Sequence, residues 1–144
     1  MQQDRDLAVG RRYFTEAWNP GNPSALDDLF PPTFTHVASG GEESEVPVSA
    51  IADGVECWHK GFDGFRYDID HEAVTEDGTV LFFTTFSGTH TGRFQWLGYG
   101  PWEPTGRRIA GFETFAFGIT DERITRFKHL WDPEKLAQQL GVTL

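Results

Sequence analysis

The chain has a single cysteine, Cys57, among 144 residues, so no intramolecular disulfide can staple it. That thiol sits in Val55-Glu56-Cys57-Trp58-His59, beside nothing that lowers a thiol pKa, and reads as a packing residue. Basic residues are scarce: 12 Lys and Arg face 22 Asp and Glu, a net charge of −10. The deficit argues against nucleic acid as a partner, because phosphate recognition needs a basic patch. It argues equally against an anionic membrane surface. No apolar run approaches the roughly 20 residues of a membrane span. The first residues, Met1-Gln2-Gln3-Asp4-Arg5-Asp6, are charged and lack the apolar stretch of a signal peptide, so the expectation is a cytoplasmic protein. What remains is one domain over residues 1–144, long enough for a real core.

Aromatic residues, by contrast, are plentiful: 13 Phe, 5 Trp and 3 Tyr. They must fill most of the core, and they also suit the wall of a pocket for a ring-containing or unsaturated ligand. Arg93, Arg107 and Arg108 cluster near the expected mouth of such a pocket, which leaves an anionic substrate open.

Hydrophobic spacing predicts a helix over 4–18, closed by Asn19-Pro20-Gly21. A second helix is expected from Ser24, as N-cap, to Phe30, and a third from Pro47 to Lys60. Residues 38–46 read as a polar loop. From Phe65 the period becomes two, with Phe65, Tyr67, Ile69, His71 and Ala73 on one face. Val80–His90 reads as a central strand. Residues 92–106 read as a loop. Arg108–Ile119 and Arg123–Trp131 read as a final hairpin, and a short helix begins at Asp132-Pro133. Three helices followed by antiparallel strands make an α+β fold: a curved sheet packed against the helices, enclosing a pocket.

Three side chains stand out against this frame. His90 ends an apolar strand, where a titratable group at an apolar edge suits acid–base work. Glu113 is the one carboxylate on a face shared with Ile109, Phe115, Phe117 and Ile119. A carboxylate there is costly unless it is paired or protonated. A structural ion pair or a carboxylate facing the pocket mouth is the competing reading. His129 turns inward with Phe127 and Trp131; a hairpin register in which paired numbers sum to 242 sets it opposite Glu113. Tyr13, Phe115 and Trp131 are expected on the substrate wall, and Trp96, Tyr99 and Trp102 as a lid or a dimer contact. No His-x-x-x-His spacing points to a metal.

Several short motifs follow in order: Arg12-Tyr13-Phe14-Thr15-Glu16-Ala17-Trp18-Asn19, Leu26-Asp27-Asp28-Leu29-Phe30, Phe34-Thr35-His36, Gly88-Thr89-His90-Thr91-Gly92, Pro104-Thr105-Gly106-Arg107, Trp131-Asp132 and Gln139-Leu140-Gly141. This order resembles the SnoaL-like polyketide cyclases of the NTF2-like superfamily. The resemblance implies a cone-shaped α+β barrel, a homodimer, a hydrophobic polyketide-like substrate and no metal or cofactor. It implies ring closure in which an aspartate on the strand after Pro104-Thr105-Gly106-Arg107 removes a C–H proton. The histidine of Gly88-Thr89-His90 would help hold the enolate, and His36 would lie near the pocket. The aspartate position falls on Phe115, so Glu113 would have to act in its place. Otherwise the ring closes by another route, such as folding a polyene for a cycloaddition. A non-catalytic ligand-binding or dimerisation module, and a dehydratase or isomerase of small metabolites, are the competing readings.

Overall fold

In the computed structural model, which describes residues 1–144, the chain opens with helix α1 (Gln2–Arg12). The helix expected to run to residue 18 changes pitch at Tyr13: Tyr13–Trp18 form a π-helical turn. Its i→i+5 pairing, such as Asn19 N–H to Phe14 O at 2.8 Å, widens the turn. Tyr13 and Trp18 thereby face the same space, with ring centroids 6.4 Å apart. A 3₁₀ turn (Pro23–Ala25) leads into helix α2 (Leu26–Leu29). Ser24 caps neither; its hydroxyl donates to the Asn22 side chain at 2.6 Å.

Strand β1 (Thr33–Val37) pairs with β2 (Glu43–Pro47), so part of the expected polar loop is a strand. It escapes pattern reading because it is an edge strand whose one inward apolar residue, Val46, meets Phe34. Helix α3 (Ser49–Gly61) starts after Pro47, which closes β2. Then come β3 (Phe62–Val74), β4 (Val80–His90), a small hairpin of β5 (Phe94–Trp96) and β6 (Tyr99–Trp102), β7 (Arg108–Thr120), β8 (Arg123–Trp131) and helix α4 (Pro133–Leu140). The segment read as a loop over 92–106 thus carries the β5–β6 hairpin.

The main sheet runs β2-β1-β8-β7-β4-β3, antiparallel except where β1 meets β8. Beyond the three N-terminal helices expected, α4 makes a fourth and packs on β7. Asp132 caps it by accepting the Lys135 N–H. Gln139 clamps the Ala110 backbone, accepting its N–H at 2.9 Å and donating to its carbonyl at 2.7 Å. Bulges between Asp63 and Arg66 and between Ile69 and His71 bend β3. The second bulge reverses the alternation: Phe65 and Tyr67 are buried, whereas His71 and Ala73 are exposed. The bend carries the start of β3 over the sheet and makes the concave side that α1, the π-turn and α3 close. Phe14, Phe82, Phe115 and Phe117, all essentially inaccessible, fill its closed end. No helix is long and apolar enough to cross a membrane.

Candidate active site

The β7–β8 turn is the two-residue pair Asp121-Glu122, both at positive φ (51° and 62°), and a bulge follows Gly118. Together they shift the register from the expected one: Glu113 pairs with Trp131, and Phe115 with His129. A two-residue shift keeps every side chain on its face. Glu113 and His129 are therefore diagonal neighbours rather than partners, and their side chains span the gap. His129 Nδ1 lies 2.7 Å from Glu113 Oε2.

A second group converges on the same carboxylate. The Tyr67 hydroxyl donates to Glu113 Oε1 at 3.0 Å, reaching over β4 from the bent start of β3. Thr84 is small enough to allow this, and its hydroxyl donates to the Glu113 carbonyl at 2.7 Å. Asn19 fixes Tyr67 from the helix side. It donates to the Tyr67 carbonyl at 3.0 Å and accepts the Tyr67 N–H at 2.8 Å. Burial first, and the Glu113 charge second, push the Tyr67 phenol well above its usual pKa, so it stays a donor. A carboxylate only accepts, so the His129 Nδ1–H is the donor of that contact, and Nε2 is the ring nitrogen not engaged by Glu113. The Glu113 side chain is 7% exposed and that of His129 is 31%: the imidazole is the accessible member of the pair.

These groups line a cavity of about 480 Å³, a size suited to a small molecule. Of its 18 lining residues 14 are hydrophobic, so the polar chemistry is concentrated on Glu113, His129 and His36 plus the hydroxyls of Tyr13, Tyr67 and Tyr99. Of the residues expected at the site, Glu113, His129, His36, Tyr13, Trp96, Phe115 and Trp131 come together there. Phe115 stacks on His129 at 5.9 Å, and the His36 ring meets His129 edge-on at 6.0 Å. Burial, then the charge of His129, hold His36 below the ordinary imidazole pKa. Burial raises the Tyr13 phenol well above its usual value. The Trp18 indole N–H pulls the other way, without closing a hydrogen bond of ordinary geometry.

Two expected residues lie elsewhere. Trp102 stacks on Phe94 at 5.9 Å beneath the β5–β6 hairpin. His90 does not line the cavity either. Its fully buried ring stacks on Phe62 at 5.0 Å, and Nδ1 meets the Thr105 N–H at 3.2 Å and the Thr105 hydroxyl at 3.0 Å. Its backbone joins in, donating to the Arg107 carbonyl and accepting the Gly106 N–H, both at 2.8 Å. The Gly-Thr-His and Pro-Thr-Gly motifs therefore clasp each other at the base of the hairpin. Trp18, Tyr67 and Trp58 are among the cavity residues that the sequence analysis does not single out; the alternation that places Tyr67 beside Phe65 is the available signal.

The clasp has a pH consequence. Burial lowers the His90 pKa, only partly offset by the Gly92 and Trp102 backbone. A base lowered in this way binds fewer protons folded than unfolded. Its stabilising contribution is complete above the unfolded pKa near 6.5 and is lost as pH falls below that value. The urea midpoint is expected to drop between about pH 7 and pH 5, and to drop less steeply in His90→Gln. His36, also lowered, should keep part of the slope in the variant.

A wider groove of about 780 Å³ runs outside α3, along Asp53, Glu56, Cys57, Lys60 and Arg93. It is polar and open, and Cys57 there donates to the Gln95 carbonyl at 2.9 Å. Burial pushes its thiol pKa up, which suits packing and not attack.

A model of SnoaL-like polyketide cyclases matches residues 8–140 of this chain. No curated protein matches it. Among solved structures, TsrD from Streptomyces laurentii is similar with a TM-score of 0.78 at 22% identity, over 97% of each chain. AclR from Streptomyces galilaeus gives 0.77 at 21%, over 96% of this chain and 82% of its own. IdmH from Streptomyces antibioticus gives 0.75 at 20%, over 95% and 99%. At these identities the likeness establishes the fold, an NTF2-like cone. The family match spans β1 to β8 with both clasp motifs and the Glu113–His129 pair, and the chain belongs to the SnoaL-like polyketide cyclases.

Proposed function

We propose that the protein closes a ring on a polyketide or related hydrophobic intermediate by acid–base chemistry at the Glu113–His129 pair, without a cofactor. The observation that carries this reading is the imidazole of His129, set in an apolar cavity with Nδ1 tied to a buried carboxylate. Membership of the cyclase family supports the reaction class.

In this reading His129 Nε2 is the base. It removes a proton from a carbon flanked by carbonyls, and the electron pair forms an enolate. The enolate carbon attacks a second carbonyl of the same chain. One C–C bond forms, the C=O π bond becomes an alkoxide, and the proton returns from His129 to that oxygen. The step is an isomerisation and needs no other reactant. Glu113 is a positioning residue that fixes the tautomer and steadies the imidazolium. Tyr67 fixes Glu113 in turn. The Tyr13 hydroxyl, kept protonated by burial, is available to the developing oxyanion. The carboxylate reached from the family's aspartate thus acts one step behind the base, and Phe115 stacks on the imidazole it serves.

The test is product analysis on a linear polyketide precursor with wild type and Glu113→Gln. Ring closure by wild type with most of the rate lost in the variant supports the proposal. Equal rates would mean that the cavity acts by folding its substrate and that the pair has no part in proton transfer.

A further inference from the structure

The three arginines expected near the cavity mouth are placed elsewhere. Arg93 lies along the outer groove and pairs with Glu103 at 3.1 Å. The Arg107 guanidinium lies against Gly141, and Arg108 is exposed at the start of β7. With no lysine or arginine on the wall, a ligand oxygen that gains charge inside has to be met by neutral donors. Tyr67 and His129 Nδ1 are already committed to Glu113. Two further donors stand on the π-turn. The Trp18 indole N–H is buried and has no hydrogen-bond partner. Tyr13 is 1% exposed, and the one hydrogen-bonding neighbour of its phenol is that same N–H. An indole only donates. Tyr13 therefore turns its oxygen toward Trp18 and its own proton toward another acceptor. Buried donors without partners are rare in folded proteins, because each has given up its bond to water. Two on one turn point to a ligand atom as the missing acceptor.

The change of pitch is what brings the two together. In an α-helix, residues five apart lie roughly 140° from each other around the axis, on different faces. The i→i+5 pairing widens the turn and carries both side chains to the cavity. Trp18 is locked there from several sides. His59 Nε2 donates to its carbonyl, Tyr67 meets its ring edge-on at 5.4 Å, and a Cβ at Gly54 would lie only 3.6 Å from the indole. A donor pair fixed in this way needs no reorganisation when charge develops. Phe115 and Phe127 each pack against both the Tyr13 and the His129 rings, at centroid distances of 5.2–5.9 Å, so one small molecule can span the pair and the base. We propose that the π-turn is the oxygen-binding subsite of the cavity: a ligand carbonyl accepts the Tyr13 hydroxyl proton, and Trp18 is a positioning residue that aims and polarises that hydroxyl. This rests on the reading of the cavity as the substrate site. An enolisable ketone then binds with its oxygen toward the π-turn and its acidic C–H toward His129. As that oxygen gains charge the Tyr13 oxygen gains some too, and the indole N–H answers it. The proton stays on Tyr13.

The probe is 4-acetylbiphenyl, a ketone that cannot close a ring. Infrared spectroscopy reads its carbonyl stretch when bound, and tryptophan fluorescence reads the binding itself. The bound band is expected at lower frequency than in a hydrocarbon solvent, and Tyr13→Phe should abolish most of that shift. Replacing Trp18 by benzothienylalanine exchanges the N–H for sulfur and keeps the shape of the ring. It should remove part of the shift in the wild-type background and none in Tyr13→Phe. On a linear polyketide precursor, Tyr13→Phe should lower kcat by about 10²-fold. The Trp18 replacement should cost less, and the double variant no more than Tyr13→Phe alone. A band unmoved by Tyr13→Phe overturns the subsite. A Trp18 effect that persists at full size without Tyr13, or no effect of the Trp18 replacement at all, overturns the positioning role. Trp18→Phe repeats the cycle if the benzothienyl protein does not fold, and the Tyr13→Phe band decides the subsite in either case. Failure of the ketone to bind overturns the substrate-site reading together with the proposal. An intact carbonyl shift in a protein that does not cyclise a linear precursor sinks the reaction alone.

Discussion

Replacing His129 by glutamine is expected to lower kcat for ring closure by about 10²–10⁴-fold, the range that a positioned general base supplies. The effect should fall on kcat and leave KM little changed, because the other cavity residues still hold the substrate. Glutamine keeps an amide N–H that can reach Glu113, so the carboxylate is not stranded. It lacks a basic nitrogen at the Nε2 position. The variant therefore separates proton transfer from shape. Steady-state kinetics on a linear precursor, with a urea melt to show that the fold persists, makes the measurement. An unchanged kcat would remove the imidazole from the mechanism and leave orientation as the source of any rate. Tyr67→Phe gives the internal scale. It deletes one of the two side-chain hydrogen bonds onto Glu113 and leaves the base, so its loss should be much smaller.

The pair behind this prediction is partly legible in the sequence. Strand alternation alone turns Glu113 and His129 to one side, because period two is robust to a shift of two residues. Their register was not legible. It depends on Asp121 and Glu122 both taking left-handed backbone and on a bulge after Gly118, and neither residue type announces that geometry. Tyr67 was visible as an inward residue, but its reach over β4 depends on the bends in β3. The division of labour was hidden as well. Sequence marks Glu113 as the costly buried charge, yet only packing shows that His129 is the more exposed member. His90 misled because a strand-end histidine is equally suited to a pocket and to a clasp, and the partner that decides, Thr105, lies fifteen residues away. The π-turn at Tyr13–Trp18 was read as ordinary helix, since its apolar spacing fits either pitch at this length.

Phe117→Ala is expected to be the most damaging substitution in the closed end of the cone, at about 3–5 kcal/mol. The ring is fully buried and sits among Tyr13, Phe127, Phe82 and Phe115 at centroid distances of 5.2, 5.5, 5.7 and 5.8 Å. Its neighbours come from the π-turn, β4, β7 and β8, so four elements would have to move together to refill the space. Large rings locked by one another cannot do so, and the cavity term then adds to the lost transfer energy. A domain of this size holds only about 5–15 kcal/mol in total, so the variant should melt roughly 10 °C or more below wild type. Leu144→Ala, at a half-exposed C-terminal residue, is the control and should stay within about 0.5 kcal/mol. Because Tyr13 and Phe115 touch Phe117 and also line the cavity, a variant that still folds should bind an apolar probe such as biphenylmethanol less tightly. Thermal melts and probe titration on one preparation measure both. A drop in Tm with probe affinity unchanged would show that the aromatic core and the substrate wall are mechanically separate, contrary to the shared rings seen here.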